Sequence, residues 1–370
     1  MQIKYPPGPR FGFHIISGSS LRNLWNVLAD NRFAIRPRFV PMLLLSMTIV
    51  LLNIPFALLE ILLYGKKIRN SQVKAPVFIL GYPRSGTTYL MYLMSKDPQF
   101  AFCRMYECMG PHVLFTFGRV LRFIADRMLP KKRPMDNLEL GADVPKEEEF
   151  ALANMGVESM ANAIYFPRRF SEYFDRFVLF RGAEVEKNRF EKNLHYLLRK
   201  LTLKNNGKRL LLKSPFNTGR IALLLQMYPD AKFIHIHRHP YSLMQSNAKL
   251  YESVLPQVAF QVIDGKKMEE HIAYTYLATM DAYFNDKALL DQSRLFEVGY
   301  ADFVADPVGV LRTAYDQLQL GGFESALSHF ETEAKGYADY KANVHQDDKR
   351  KRELYHRKFG EIYERLGYGG

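Results

Sequence analysis

The chain has 370 residues, 48% of them apolar and 24% charged, with a formal net charge of +13. That is enough apolar material for one large α/β domain with an appendage or for two modest domains, and it excludes a disordered chain. The basic balance implies anionic company, which is nucleic acid, anionic lipid or a polyanionic cofactor, and charge alone does not choose among them.

The N-terminal stretch MQIKYPPGPRFGF lacks the apolar run and small-residue cleavage site of a secretory signal, so the folded part is expected to face the cytoplasm. In SSLRNLWNVLADN the residues Leu21, Leu24, Trp25 and Leu28 fall on one helical face, with Ser19 or Ser20 as N-cap. The run from Phe39 to Gly65 has a single ionisable residue, Glu60, and passes the length needed to cross a membrane, but Asn53 and Pro55 interrupt it. Arg36 and Arg38 stand before it and Lys66, Lys67 and Arg69 after it. A simple span should be basic on its cytoplasmic side only, so the symmetric flanks favour a kinked hairpin dipping into one leaflet; a true span and a buried core helix stay open. Residues 1–70 thus read as a helical, membrane-associating region and 71–370 as the main domain.

From Pro76 the pattern is α/β. APVFILGY is a strand ending in a glycine turn, and TTYLMYLMSKD is the helix that follows. Residues 101–208 are mostly helical and contain the two cysteines, Cys103 and Cys108, a pair without the further ligands of a structural zinc site and read as reduced thiols. RLLLKSPF and AKFIHIHRHP read as strands, each followed by a helix; RLFEVGY is one more strand, and the end from Asp347 is a charged helix. Alternation of this kind predicts a P-loop-like parallel sheet flanked by helices.

The loop GYPRSGTT joins a strand to a helix, where backbone N–H groups form an anion cradle. Gly81 and Gly86 have the separation of the glycines in a nucleotide-binding loop, yet Thr87 stands where a kinase or NTPase has lysine, and Arg84 is the loop's cation. The strand KFIHIHRHP ends in histidines and arginine, with no acidic residue to help hold magnesium. The loop therefore suits a phosphate whose transferred group needs no magnesium. Arg238 lies at a strand terminus and Ser246 eight residues later. Ligands of doubly wound sheets bind beyond the carboxyl ends of the strands, and two phosphate sites there describe a bisphosphorylated nucleotide.

GYPRSGTTYL resembles the 5′-phosphosulfate loop of sulfotransferases that use 3′-phosphoadenosine-5′-phosphosulfate (PAPS), and Arg238 with Ser246 matches their 3′-phosphate site. The likeness spans about residues 76 to 345 and is closer to the bacterial lipid and small-molecule enzymes and the tyrosylprotein sulfotransferases than to the cytosolic steroid and phenol enzymes. It implies that Arg84, Ser85, Gly86, Thr87 and Thr88 hold the 5′-phosphate, that Lys213 contacts the sulfuryl group, that Tyr300 supports the nucleotide and that Lys341 closes over it. The histidine base of the cytosolic enzymes does not transfer, because Pro215 occupies its position. A glutamate base is expected instead, either Glu107 or one of Glu147 and Glu149, with Pro145 placing the latter two near a helix N-terminus, where carboxylates are favoured in any case.

His235, His237 and His239 read as core or nucleotide-adjacent residues, and no metal is expected. The basic C-terminal helix reads as a solvated face, with no nucleic-acid partner. The expected activity is sulfuryl transfer from PAPS to a hydroxyl acceptor, lipid-like because of the membrane segment. A kinase on the same fold and a non-catalytic membrane-bound nucleotide-binding protein are the alternatives.

Overall fold

The computed structural model of the chain describes residues 1–5, 8, 14–131, 140–337 and 348–369. Helices α1 (Leu21–Asp30) and α2 (Val40–Asn70) precede strand β1 (Val77–Leu80), helix α3 (Thr87–Met94) and the short strand β2 (Phe100–Ala101). A helical stretch follows, with α4 (Met105–Met109), α5 (Gly118–Met128), α6 (Glu148–Met155), α7 (Asn162–Tyr165), α8 (Phe170–Phe177) and α9 (Glu184–Lys204). The chain then alternates through β3 (Arg209–Lys213), α10 (Ile221–Met227), β4 (Lys232–His237), α11 (Pro240–Val258), α12 (Gly265–Asp286) and β5 (Leu295–Gly299). Helices α13 (Tyr300–Ala305), α14 (Pro307–Leu318), α15 (Phe323–Tyr337) and α16 (Lys349–Arg365) come last.

The five strands lie in the order β2-β3-β1-β4-β5. Strand β1 runs parallel to β3, with Ile79 opposite Lys213, and parallel to β4, with Leu80 opposite His235. Strand β4 is parallel to β5, with His237 opposite Gly299. All four residues of β1 are buried, which is why it reads as an unbroken apolar run rather than an alternating one. These registers carry the carboxyl ends of β1, β3, β4 and β5 to one edge, so the parallel α/β sheet expected from the sequence is present.

Two compact units make up the chain. One comprises Met1–Val73, Ala101–Leu210 and Glu252–Met268, and the other Lys74–Phe100, Leu211–Tyr251 and Glu269–Gly370. In the first unit, α1 is capped by Ser20, whose side chain accepts from the Asn23 N–H at 3.1 Å. It buries Leu24, Val27 and Leu28 and leaves Leu21 and Trp25 exposed, so its inner face is rotated from the one the apolar spacing gave. The rotation follows from Asn23, whose buried amide donates to the Ala153 carbonyl at 2.9 Å and to Ser19 Oγ at 2.8 Å.

Helix α2 passes through Pro55 without reversing, so the kinked hairpin is not formed. By length and composition it is the one helix among the described residues able to cross a membrane. A proline inside a helix forfeits one backbone bond and strains the turn before it, a cost that side-chain ties can offset. Helix α2 has several such ties. Ser17 Oγ donates to Ser46 Oγ at 3.0 Å; Glu60 Oε2 accepts from the Phe115 N–H at 2.7 Å and the Thr116 N–H at 3.2 Å; Glu60 Oε1 pairs with Lys200 of α9. Phe56 packs against Phe117 at 4.7 Å between ring centroids, and Tyr64 stacks on Phe115 at 4.5 Å. Glu60 and Lys200 are both buried, and Lys200 also donates to the Pro111 carbonyl. Burial pulls the Lys200 pKa below its ordinary value, although the Glu60 charge beside it works the other way.

Removing one member of such a pair leaves an uncompensated buried charge. Glu60→Gln should therefore lower stability by about 3–5 kcal/mol in denaturant unfolding. Glu60→Leu combined with Lys200→Leu should cost much less than either single change, and equal losses in all three variants would show that the pair does not act as one.

Candidate functional site

Beyond β1 the chain turns from Gly81 to Gly86 into α3. Gly81 has φ +143, and a Cβ there would lie 2.4 Å from the Ile236 carbonyl oxygen. Gly86 has φ +112, and its Cβ would lie 2.5 Å from the Tyr300 ring. Both positions need glycine, for backbone conformation and for space. Arg84, between them, also takes a left-handed conformation at φ 74, a strain of about 1–2 kcal/mol for a residue with a side chain. Several bonds hold it. Arg84 Nε donates to Ser246 Oγ at 3.0 Å, and Arg238 Nη1 donates to the Arg84 carbonyl at 3.4 Å. Asn247 Nδ2 donates to the Pro83 carbonyl at 2.8 Å, and the Gly81 N–H donates to Thr218 Oγ1 at 2.8 Å.

The Ser85 hydroxyl, by contrast, is buried without a hydrogen-bond partner. A buried hydroxyl left unpaired costs free energy, so its place in a loop that leads into a helix N-terminus fits a group built to meet an anion. Thr87 is buried and Thr88 half-buried in the first turn of α3. Lys213, the last residue of β3, is buried with Nζ 3.5 Å from Thr88 Oγ1. Arg238 follows β4 with its guanidinium over the Tyr300 ring at 4.6 Å, and Tyr300 itself opens α13 after β5.

Arg84, Ser85, Gly86, Thr87, Thr88, Lys213, Arg238, Ser246 and Tyr300 are thus gathered at the carboxyl edge of one sheet. Lys341 lies outside the described residues. Sequence reasoning missed Thr218 and Asn247, which hold the loop's backbone. Asn247 adjoins Ser246 and Thr218 follows the SPFN segment, but no spacing marks a side chain whose work is to hold a neighbour's main chain.

The three glutamates belong to the other unit. Glu107 is fully buried at the first turn of α4. Its Oε2 accepts from the Arg104 N–H at 2.8 Å in a capping box, its Oε1 pairs with Lys204, and Arg104 Nη1 stands at 3.5 Å. Glu149 is buried as well, with Oε1 accepting from Ser159 Oγ at 2.9 Å and from the Met160 N–H at 2.8 Å. Glu147 is half-buried and is the N-cap residue of α6, its carbonyl accepting from Cys108 Sγ at 3.4 Å. Pro145 is not in the first turn of that helix as the sequence implied; it forms an antiparallel bridge with Arg104, which draws it into extended backbone before α6 begins. Cys103 and Cys108 are free and buried, with their sulfurs 3.4 Å apart.

Among the histidines, His235 stacks on Tyr283 at 3.9 Å, His237 Nδ1 meets the Tyr368 hydroxyl at 2.9 Å, and His239 packs edge-on against Tyr363 and Tyr368. Burial lowers the pKa of all three. Among the described residues there is no group of three or more histidine, cysteine or acidic side chains able to hold a metal.

A glycine loop from parallel strand to helix, an unpaired hydroxyl within it and two arginines at the same edge make an α/β fold whose sheet edge could accept a phosphorylated nucleotide. The chain belongs to the sulfotransferase family, which it matches over residues 76–325, and it is a sulfotransferase. The family implies, in general terms, PAPS as the sulfuryl donor. The chain is 31% identical, over 92% of its length and 88% of theirs, to the omega-hydroxy-beta-dihydromenaquinone-9 sulfotransferases Stf3 of Mycobacterium bovis and Mycobacterium tuberculosis. Its fold is similar to sulfotransferase STF1 of M. tuberculosis H37Rv, with a TM-score of 0.69, 19% identity and 92% of each chain covered. Sulfotransferase STF9 of Mycobacterium avium superposes with a TM-score of 0.64 at 21% identity, covering 84% of this chain and 81% of that one.

Two substitutions separate loop geometry from ligand binding. Ser85→Ala should leave the free protein as stable as before or slightly more so, because the lost hydroxyl had no partner. The same change should weaken 3′-phosphoadenosine-5′-phosphate (PAP) about threefold to tenfold in titration calorimetry. Gly86→Ala should weaken the nucleotide more than thirtyfold through backbone strain and collision with Tyr300; unchanged affinity would remove the loop from the site.

Proposed function

We propose that this sulfotransferase uses PAPS to sulfate the hydroxyl of an amphiphilic, lipid-like alcohol at the cytoplasmic face of a membrane, without a metal and without a nucleic-acid partner. The observation that carries the donor assignment is the convergence of Arg84, Arg238 and Ser246 beside the unpaired Ser85 hydroxyl. In this reading residues 71–370 are the catalytic domain, in line with a family match that begins at residue 76, and residues 1–70 are the membrane-associating region.

The loop N–H groups with Arg84, Ser85, Thr87 and Thr88 bind the 5′-phosphate, and Gly86 keeps the cradle open. Arg238 and Ser246 bind the 3′-phosphate, while Tyr300 supports the nucleotide and Lys341 closes over it. In the reaction the acceptor oxygen forms a bond to sulfur as the bond from sulfur to the bridging phosphate oxygen breaks. Lys213 neutralises charge on the transferring and leaving oxygens, and the acceptor proton passes to a glutamate. The base is Glu107, Glu147 or Glu149. Glu107 and Glu149 already have hydrogen-bonding tasks in the fold, so a base drawn from either performs two roles.

A lipid acceptor is supported by the apolar α2 and by the Stf3 relatives, whose names specify a menaquinone-derived alcohol. Sulfate transfer from labelled PAPS to alcohols presented in vesicles or in water is the direct test, and transfer to neither would sink the reading.

Charge-assisted hydrogen bonds to phosphate make Arg238→Ala cost about 2–4 kcal/mol in PAP affinity, with little change for adenosine-5′-phosphosulfate, which lacks the 3′-phosphate. Equal losses for the two nucleotides would remove Arg238 from that role. Replacing the true base by glutamine should cut turnover about 100-fold or more while PAP still binds; near-normal turnover in the Glu107, Glu147 and Glu149 variants alike would exclude a glutamate base from this set.

A further inference from the structure

The side of α2 turned away from the protein is long, apolar and unused by the site. Exposed positions from Leu44 to Leu63 include Leu51, Leu52, Leu58 and Leu62, the last 80% exposed, and none of them is charged. Beside it stands α5. Leu121 and Ala125 face inward, into the cluster against which Ala57 of α2 packs, and Val120, Phe123 and Met128 are exposed on the other side. Phe117, the residue before α5, is the one that packs against Phe56. Arg119 and Arg127 are exposed on the same helix, and the Arg127 guanidinium rides over the Phe123 ring at 3.5 Å. A cation lying along an apolar ring on an exposed surface suits the headgroup level of a bilayer.

We infer that α2 does not cross the bilayer but lies in the plane of an anionic one, its outer face among the acyl chains and α5 beside it as a second embedded contact. This rests on the membrane reading above and deepens it. Crossing would require α2 to leave the body of its unit, which strips Glu60 of Lys200, Phe115 and Thr116 and takes its carboxylate into hydrocarbon. An in-plane helix keeps every one of these bonds. The basic residues agree: Arg36 and Arg38 at one end and Lys66, Lys67 and Arg69 at the other can all meet headgroups of a single leaflet, whereas a span would put one set on the far side. A 31-residue helix is about 46 Å long, well beyond the thickness of one hydrocarbon core, and in the plane that length needs no accommodation. With Arg119 and Arg127 added, and Asp126 of α5 as an exposed acid among them, the charges around the apolar surface are predominantly cationic, which favours anionic lipid over a second copy of the same cationic face.

The test uses the full chain with phosphatidylcholine vesicles, with and without phosphatidylglycerol. Binding should be at least tenfold stronger with phosphatidylglycerol. Leu52→Glu with Leu62→Glu should reduce it more than 30-fold, and Phe123→Glu about fivefold to tenfold, while PAP affinity stays within twofold. Fluorophores on cysteines introduced singly as Leu44→Cys, Leu52→Cys and Leu63→Cys, read with quenchers at known lipid depths, should report one shallow depth. A profile with position 52 at the midplane and the ends near opposite surfaces would overturn the inference, as would absence of vesicle binding or self-association through this face without lipid. Unchanged vesicle binding in Phe123→Glu would remove α5 from the surface. Nucleotide binding is measured in the same samples, so failure of PAP to bind counts against the donor site and not against the vesicle result.

Discussion

A Cβ at Gly81 would meet the Ile236 carbonyl and one at Gly86 the ring of Tyr300, so the loop between them sits against β4 and α13 with no room for a side chain at either point. That close approach sets the position of the other residues at the edge. It puts Arg84 within reach of Ser246, brings the Arg84 carbonyl to Arg238, and leaves Arg238 over Tyr300. The strained Arg84 backbone is held by partners drawn from two other segments, β4 with α11 on one side and the turn after β3 on the other. A loop held in this way is ordered by its own contacts, which would spare an anion bound there the ordering cost of a flexible loop.

Much of this was legible in the sequence because the features concerned are local or periodic. A strand buried on both faces reads as an apolar run, a loop at positive φ reads as glycine, and an arginine just past a strand reads as an edge cation. The misreadings have a common cause in contacts distant along the chain. Pro55 signals a break only where nothing compensates for it, and the compensation here comes from Lys200 and from the Phe115 and Thr116 main chain. Helix α1 turns a different face inward because the Asn23 amide finds the Ala153 carbonyl, an attraction that apolar spacing does not register. Thr218 and Asn247 escaped notice for the same reason.

The glutamates illustrate a different boundary. Residue type and position nominate a base, but whether a carboxylate can accept a proton depends on its neighbours. Glu107 shares its oxygens with a helix cap and two cations, and Glu149 with a serine and a backbone N–H. Both arrangements order the fold around them, so loss of either carboxylate has structural consequences beyond chemistry. The neighbouring thiols follow the same logic at lower stakes. Cys103 is pushed well above the usual thiol range by Cys108 and by burial, which keeps it protonated and a weak nucleophile.

The net charge of +13 does not discriminate among anionic partners when taken as a sum, but three groups of cations stand out in its distribution. One group of cations, Arg84, Lys213 and Arg238, sits at the carboxyl edge of the sheet, where a doubly wound fold binds ligand. A second group, Arg36, Arg38, Lys66, Lys67 and Arg69, brackets the apolar face of α2, where aqueous counterions are a poor match and headgroups a good one. A third lies on α16, capped by Asp348, with Arg352 over the Tyr241 ring and Lys351 within 3.9 Å of Glu269. Side-chain packing and acidic neighbours on that helix account for part of its charge without any external polyanion. On the proposed reading these cations serve two separate anions, Arg84, Lys213 and Arg238 a nucleotide at the sheet edge and the residues bracketing α2 a lipid surface.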